Sequence, residues 1–146
     1  MEVKTAKELF RRKETLIRSV RRMQERYDEL EARATGVGAF RYDRVKVTCS
    51  QPEGSKHEKL VTRMVSVEEE LREKKQELEE VQQMIQMLAV RITTPRIRRT
   101  MIYRHVENHT PEECMKHFGY DYETYREYYK KGTKTMQQII DATPKI

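Results

Sequence analysis

Two stretches of this chain carry apolar residues at alternating steps of three and four. The first runs through Ala6, Leu9, Leu16, Val20, Met23, Tyr27, Leu30 and Ala34, with Lys13 standing in the one gap. The second runs through Leu60, Met64, Val67, Leu71, Leu78, Val81, Ile85, Leu88 and Ile92, interrupted by Lys74. A repeat of this kind makes a narrow seam along a helix, unlike the wide face of a helix packed in a globule. Each seam must be covered, so the spacing predicts two long helices joined as an antiparallel hairpin or paired between chains. A thin hairpin leaves apolar edge, which favours a homodimer.

Composition fits this picture. Charged residues make up 37% and apolar ones 36%, with no tryptophan and a mean hydropathy of -0.95, too little apolar matter for a thick core. The 146 residues amount to one ordinary domain, or a small domain with an extended helical element. A net charge of +6 and a pI near 9.3 favour polyanionic partners. Residues 91–146 hold eleven basic and seven acidic side chains, whereas 56–90 hold six basic and eight acidic. The second helix therefore suits a spacer or assembly surface, and the carboxy-terminal part suits a polyanion. Nothing approaches the roughly 18 apolar residues of a membrane span. The start MEVKTAKELFRRK lacks the apolar core of a signal peptide, so the expectation is a cytoplasmic protein without a membrane segment. Two distant cysteines, Cys49 and Cys114, give no reason to expect a structural disulfide.

Between the seams, GVGAFRYDRVKVTCSQPEGS (36–55) reads as a loop with a short strand at Arg44 to Val47. Gly36 after Thr35 is the expected stop of the first helix, and Ser55 the expected N-cap of the second. Beyond the second seam, Thr94 and Pro95 mark a break and a new start. A helix from Pro95 to Val106 would turn Ile97, Met101, Ile102 and Val106 inward and Arg96, Arg98, Arg99 and Arg104 outward. Glu107, Asn108 and His109 then form a turn. Thr110, Pro111, Glu112 and Glu113 spell a capping box with proline at the first helical position. That helix ends at Phe118, Gly119 supplies a positive-φ turn, and Asp121 caps a longer helix from Tyr122. Short helix, tight turn and longer helix are the spacing of a helix-turn-helix. On the last helix Tyr125, Tyr129, Gly132 or Thr133, and Met136 share the core side. Tyr122, Glu123, Arg126, Glu127 and Lys130 share the other.

The stretch TTPRIRRTMIYRHVENHTPEECMKHFGYDYETYREYYKKGTKTMQQI resembles region four of bacterial sigma factors. It also resembles the carboxy-terminal part of phage late-gene transcriptional regulators of the RinA and ArpU type. Glu112, Glu113, Cys114 and Met115 stand where that pattern has a capped EEIA helix, and Phe118 and Gly119 stand at its turn. The earlier half, with YDRVKVTCS and the acidic helix after it, is similar to small phage and prophage proteins with the same order of coil, loop, coil and helix-turn-helix. Cys114 and Met115 depart from the usual aliphatic and alanine, and Tyr128 and Tyr129 crowd the final helix. The resemblance implies a DNA-binding regulator of phage transcription, acting in the bacterial host and in contact with RNA polymerase. Its exposed face implies Tyr122, Glu123, Arg126, Glu127, Lys130, Lys131 and Lys134 as the DNA-binding residues. Arg126 would take a guanine edge, Glu123 a cytosine amine, and the lysines phosphates. The plainer alternative is that Glu123, Glu127 and the lysines form i,i+4 surface pairs.

The expected architecture is thus all-α. A long antiparallel coiled-coil hairpin occupies 1–92, a helix-turn-helix 93–141 and a tail 142–146. Of His105, His109, Cys114 and His117, the two histidines at i,i+4, His105 and His109, could share a metal, but His109 follows the expected helix end and the helix-turn-helix reading places Cys114 in the core, so no metal or cofactor is expected. No nucleophile motif, phosphate-cradling loop or catalytic carboxylate pair appears, which argues against an enzyme. Two other roles suit the same architecture. One is a small-terminase-like DNA packaging subunit; the other is a coiled-coil interaction or inhibitor protein that binds through its tyrosines.

Overall fold

The computed structural model describes residues 5–35 and 52–143. They are all-α, with no strand among them. The helices are α1 (Ala6–Thr35), α2 (Pro52–Val90), α3 (Pro95–Met101), α4 (Pro111–Phe118) and α5 (Tyr122–Ala142). A single π-helical turn, Ile102–Val106, continues α3. The expected strand at Arg44 to Val47 and the stop at Gly36 lie outside the described residues.

Both seams are the buried faces of their helices. On α1, Ala6, Leu9, Leu16 and Leu30 are buried, while Val20, Met23, Tyr27 and Ala34 are half-buried. On α2, Val67, Leu71, Val81, Ile85 and Leu88 are buried. Lys74, in the gap of that seam, is half-buried and pairs with Glu77 one turn on, at 3.8 Å. The start of α2 needs correction: it begins at Pro52, not after Ser55. Proline has no N–H to lose in a first turn and its fixed φ is already helical, so the helix takes in residues 52–55.

Packing divides the chain into two compact units. Residues 16–77 form one. Within it α1 and α2 run antiparallel: the Lys75 ammonium donates to Gln24 Oε1 at 3.4 Å, while Tyr27, further along α1, lies near Glu68, earlier on α2. The other unit joins the start of α1, up to Thr15, to everything from Leu78 onward. Compactness groups the first turns of α1 and the end of α2 with the carboxy-terminal helices.

In that second unit, α3 and α5 meet at Gly132. A Cβ there would lie 2.5 Å from Met101 Cγ and 3.2 Å from Ile97 Cγ2, so only hydrogen lets the two helices approach this closely. Met101, Met136 and Cys114 are fully buried in this unit. The π turn changes the expected facing of residues 102–106. One extra residue per turn rotates the helix surface, so Arg104 is drawn in to 17% side-chain exposure and His105 to 1%, while Ile102 and Val106 are only half-buried. Arg98 also turns partly inward and donates to the Ile92 carbonyl at 3.2 Å, which closes the end of α2.

Candidate nucleic-acid interface

Local chemistry fixes the turn between α4 and α5. Thr110, extended, accepts from the Glu113 amide at 3.2 Å and Pro111 fills the first helical position. The reciprocal half of the expected capping box is missing: the Glu113 carboxylate binds His109 Nδ1 instead. Gly119 closes α4 at φ 71°, where a side chain would be strained. Asp121 then accepts from the Thr124 amide at 2.7 Å and starts α5; the Thr124 side chain and then its amide hold the Asp121 carboxyl below the usual carboxylate range. Only Gly119, Tyr120 and Asp121 separate the two helices.

The faces of α5 follow the expected division. Tyr125, Gly132 and Met136 are buried, and Tyr129 and Thr133 half-buried. The seven residues expected at DNA, Tyr122, Glu123, Arg126, Glu127, Lys130, Lys131 and Lys134, are all exposed, with Tyr122 at 65%. Two of them follow the plainer alternative. Lys131 binds Glu127 at 2.8 Å, and this ion pair raises the lysine's pKa. Arg126, Lys130 and Lys134 have no ion pair with any described residue, so their charges remain available along one side of the helix.

Both flanks of α5 are tied down. On one flank the Tyr128 ring meets Tyr120 edge-on at 5.1 Å, and Tyr120 stacks on Phe118 at 5.2 Å. The exposed Arg96 of α3 lies close to Tyr128, whose hydroxyl raises the guanidinium's pKa, and sets a further cation beside the exposed face. Sequence reasoning missed that role of Arg96; the basic run RIRR (96–99) was its only trace.

On the other flank lies a buried polar chain. The Lys13 ammonium donates to the His105 carbonyl at 3.1 Å and to His105 Nδ1 at 3.2 Å. An ammonium can only donate, so Nδ1 accepts and the ring proton sits on Nε2, which reaches the Tyr129 hydroxyl at 3.2 Å. Phe10 stacks on the same imidazole, centroids 3.7 Å apart. Burial, then the neighbouring Lys13 and Arg104 charges, push His105 down to about 2; burial and Arg104 lower Lys13 to about 8. The Ala6 amide donates to Gln137 of α5 at 2.7 Å, a further tie between the first turn of α1 and this helix.

His105, His109, Cys114 and His117 each have other surroundings. His105 lies in the buried chain, Cys114 is a buried free thiol raised by burial, and His109 and His117 both stack on Tyr103, at 3.8 and 4.3 Å. Among the described residues no group of three or more His, Cys, Asp or Glu side chains is set to hold a metal. No described helix is long and apolar enough to cross a membrane. Comparison with protein-family models, curated proteins and solved structures gives no match.

Proposed function

We propose that this protein reads double-stranded DNA with α5. The observation that carries the reading is the short capped α4, the glycine turn at φ 71° and the long α5 whose outward side offers Arg126, Lys130 and Lys134 unpaired among the described residues. Arginine can hold a guanine edge with two donors, while lysines hold phosphates as point charges and fix the register of the helix. A reading helix must also be rigid, since a loosely held side chain loses selectivity. The contacts at Gly132, at Tyr128 and at Tyr129 supply that support from three sides.

The resemblance to sigma region four and to RinA- and ArpU-type regulators extends the proposal. The site read would be a phage promoter, the partner bacterial RNA polymerase, the compartment the host cytoplasm and the role regulation of transcription rather than catalysis. Fluorescence anisotropy with the full chain and duplex DNA tests the reading. Binding should weaken linearly in log affinity against log salt, and Arg126→Ala should lower affinity chiefly on a preferred duplex.

A further inference from the structure

The first turns of α1 belong to the same compact unit as α5, and contacts at three heights tie them along it. Thr5 accepts from the Glu8 amide at 3.1 Å and starts α1, and the Ala6 amide donates to Gln137 at 2.7 Å. Further along α1 the Phe10 ring lies 6.5 Å from that of Tyr129. Glu14 then pairs at 3.6 Å with Arg104, which lies close to Tyr125 and Tyr129. Ala6 is thus level with Gln137 and Glu14 lies near Tyr125, so this part of α1 runs antiparallel to α5.

These ties draw a line between the two helices. At roughly 100° of rotation per residue, Ala6 and Phe10 separate the buried Leu9 and Lys13 from the exposed Lys7 and Arg11. On α5, Thr133 and Gln137 likewise separate Met136 and Tyr129 from the exposed Lys130 and Lys134. The core occupies one side of the line, so Lys7 and Arg11 share the other side with Lys130 and Lys134. Lys7 and Arg11 stand one turn apart and have no ion pair with a described residue. Glu14, the acid that follows on their stripe, is already held by Arg104.

We propose that Lys7 and Arg11 hold backbone phosphates of the duplex whose groove α5 enters, which makes the start of α1 a second part of the interface. The proposal rests on the DNA reading above. Packed helices lie roughly 8–10 Å apart and the major groove is roughly 12 Å wide, so a helix beside the one in the groove lies over the backbone at its edge. Cations there meet phosphates, which carry no sequence information. Lys7 and Arg11 therefore add affinity and salt dependence and leave the choice of sequence to Arg126.

Fluorescence anisotropy across a salt series tests this with the full chain, using parent protein, Lys7→Ala, Arg11→Ala, the double variant and Arg11→Lys. Each alanine change should reduce the slope of log affinity against log salt by about one and the pair by about two, with the preference between duplexes kept. Arg11→Lys, which keeps the charge, should keep the slope. Circular dichroism shows whether each variant retains its helices. Parent binding that Arg126→Ala weakens, with an unchanged slope in the double variant, would overturn this proposal and leave the reading by α5 standing. A slope lost equally in Arg11→Lys, or a changed sequence preference in Lys7→Ala or Arg11→Ala, would also overturn it. Absence of parent binding would overturn both.

Discussion

The ammonium of Lys13 lies 3.2 Å from Nδ1 of His105, and both residues are 1% exposed. Two groups that each disfavour burial are thus placed inside together, and they satisfy one another. Lys13 sits in the gap of the α1 seam, where an apolar residue would ordinarily go. Its stem completes the seam and its head binds the π turn, the point at which α1 joins the helices that carry the candidate site.

This pair gives a pH dependence with a definite sign. The folded state holds His105 at about 2, far below its ordinary 6.5, so the unfolded chain binds the proton more readily. Stability is therefore fully present above pH 6.5 and falls as pH drops below it, with a slope of up to ~1.4 kcal/mol per pH unit. Urea unfolding between pH 7 and 5 should show this loss, and His105→Gln should flatten it. Lys13, lowered from 10.5 to about 8, works in the opposite range: the unfolded chain holds its proton longer, so stability rises with pH above 8 until the tyrosines ionise. Lys13→Met should remove that rise. An unchanged slope in either variant would contradict the assignment.

Gly132→Ala is expected to destabilise although alanine is the better helix former. The new Cβ would meet Met101 Cγ and Sδ at 2.5 and 2.6 Å inside a filled core. Overpacking of this kind typically costs ~1–3 kcal/mol, and the alanine gain of up to ~1 kcal/mol offsets only part of it. Chemical denaturation of Gly132→Ala, Met101→Ala and the double variant checks this. The two changes should be non-additive, the double variant losing less than the sum of the singles.

The α4 cap offers a contrast between its two ends. Thr110→Ala should cost about 1 kcal/mol, since it removes the oxygen that accepts from the Glu113 amide. Glu113→Ala should cost less than about 0.5 kcal/mol, because its carboxylate makes only a surface pair with His109. Equal losses would mean that the reciprocal arm of the capping box forms in solution.

Much of this fold is legible in the chain because its signals are local. The seam spacing marked the buried side of α1 and α2, Gly119 and Asp121 marked the turn, and the step of Tyr125, Tyr129, Gly132 and Met136 marked the core side of α5. The remainder depends on contacts distant in sequence. Lys13 and His105 are 92 positions apart, and neither alone shows that the other will satisfy it. The π turn at 102–106 contains no glycine or proline to announce it, so Arg104 looked like one more outward arginine. Ser55 offers a familiar cap that hides the true helix start at Pro52. Arg96 gains its place beside the exposed face only once Tyr128 folds against it.

The most direct test of DNA reading is the salt dependence of duplex binding by the full chain, measured by fluorescence anisotropy with parent protein, Arg126→Ala and Lys130→Ala. Log affinity should fall linearly with log salt, Lys130→Ala should reduce that slope by about one, and Arg126→Ala should narrow the gap between preferred and random duplexes. A folded protein that shows no binding at low salt, or binding indifferent to both substitutions, would contradict the assignment of α5 as a DNA-reading helix.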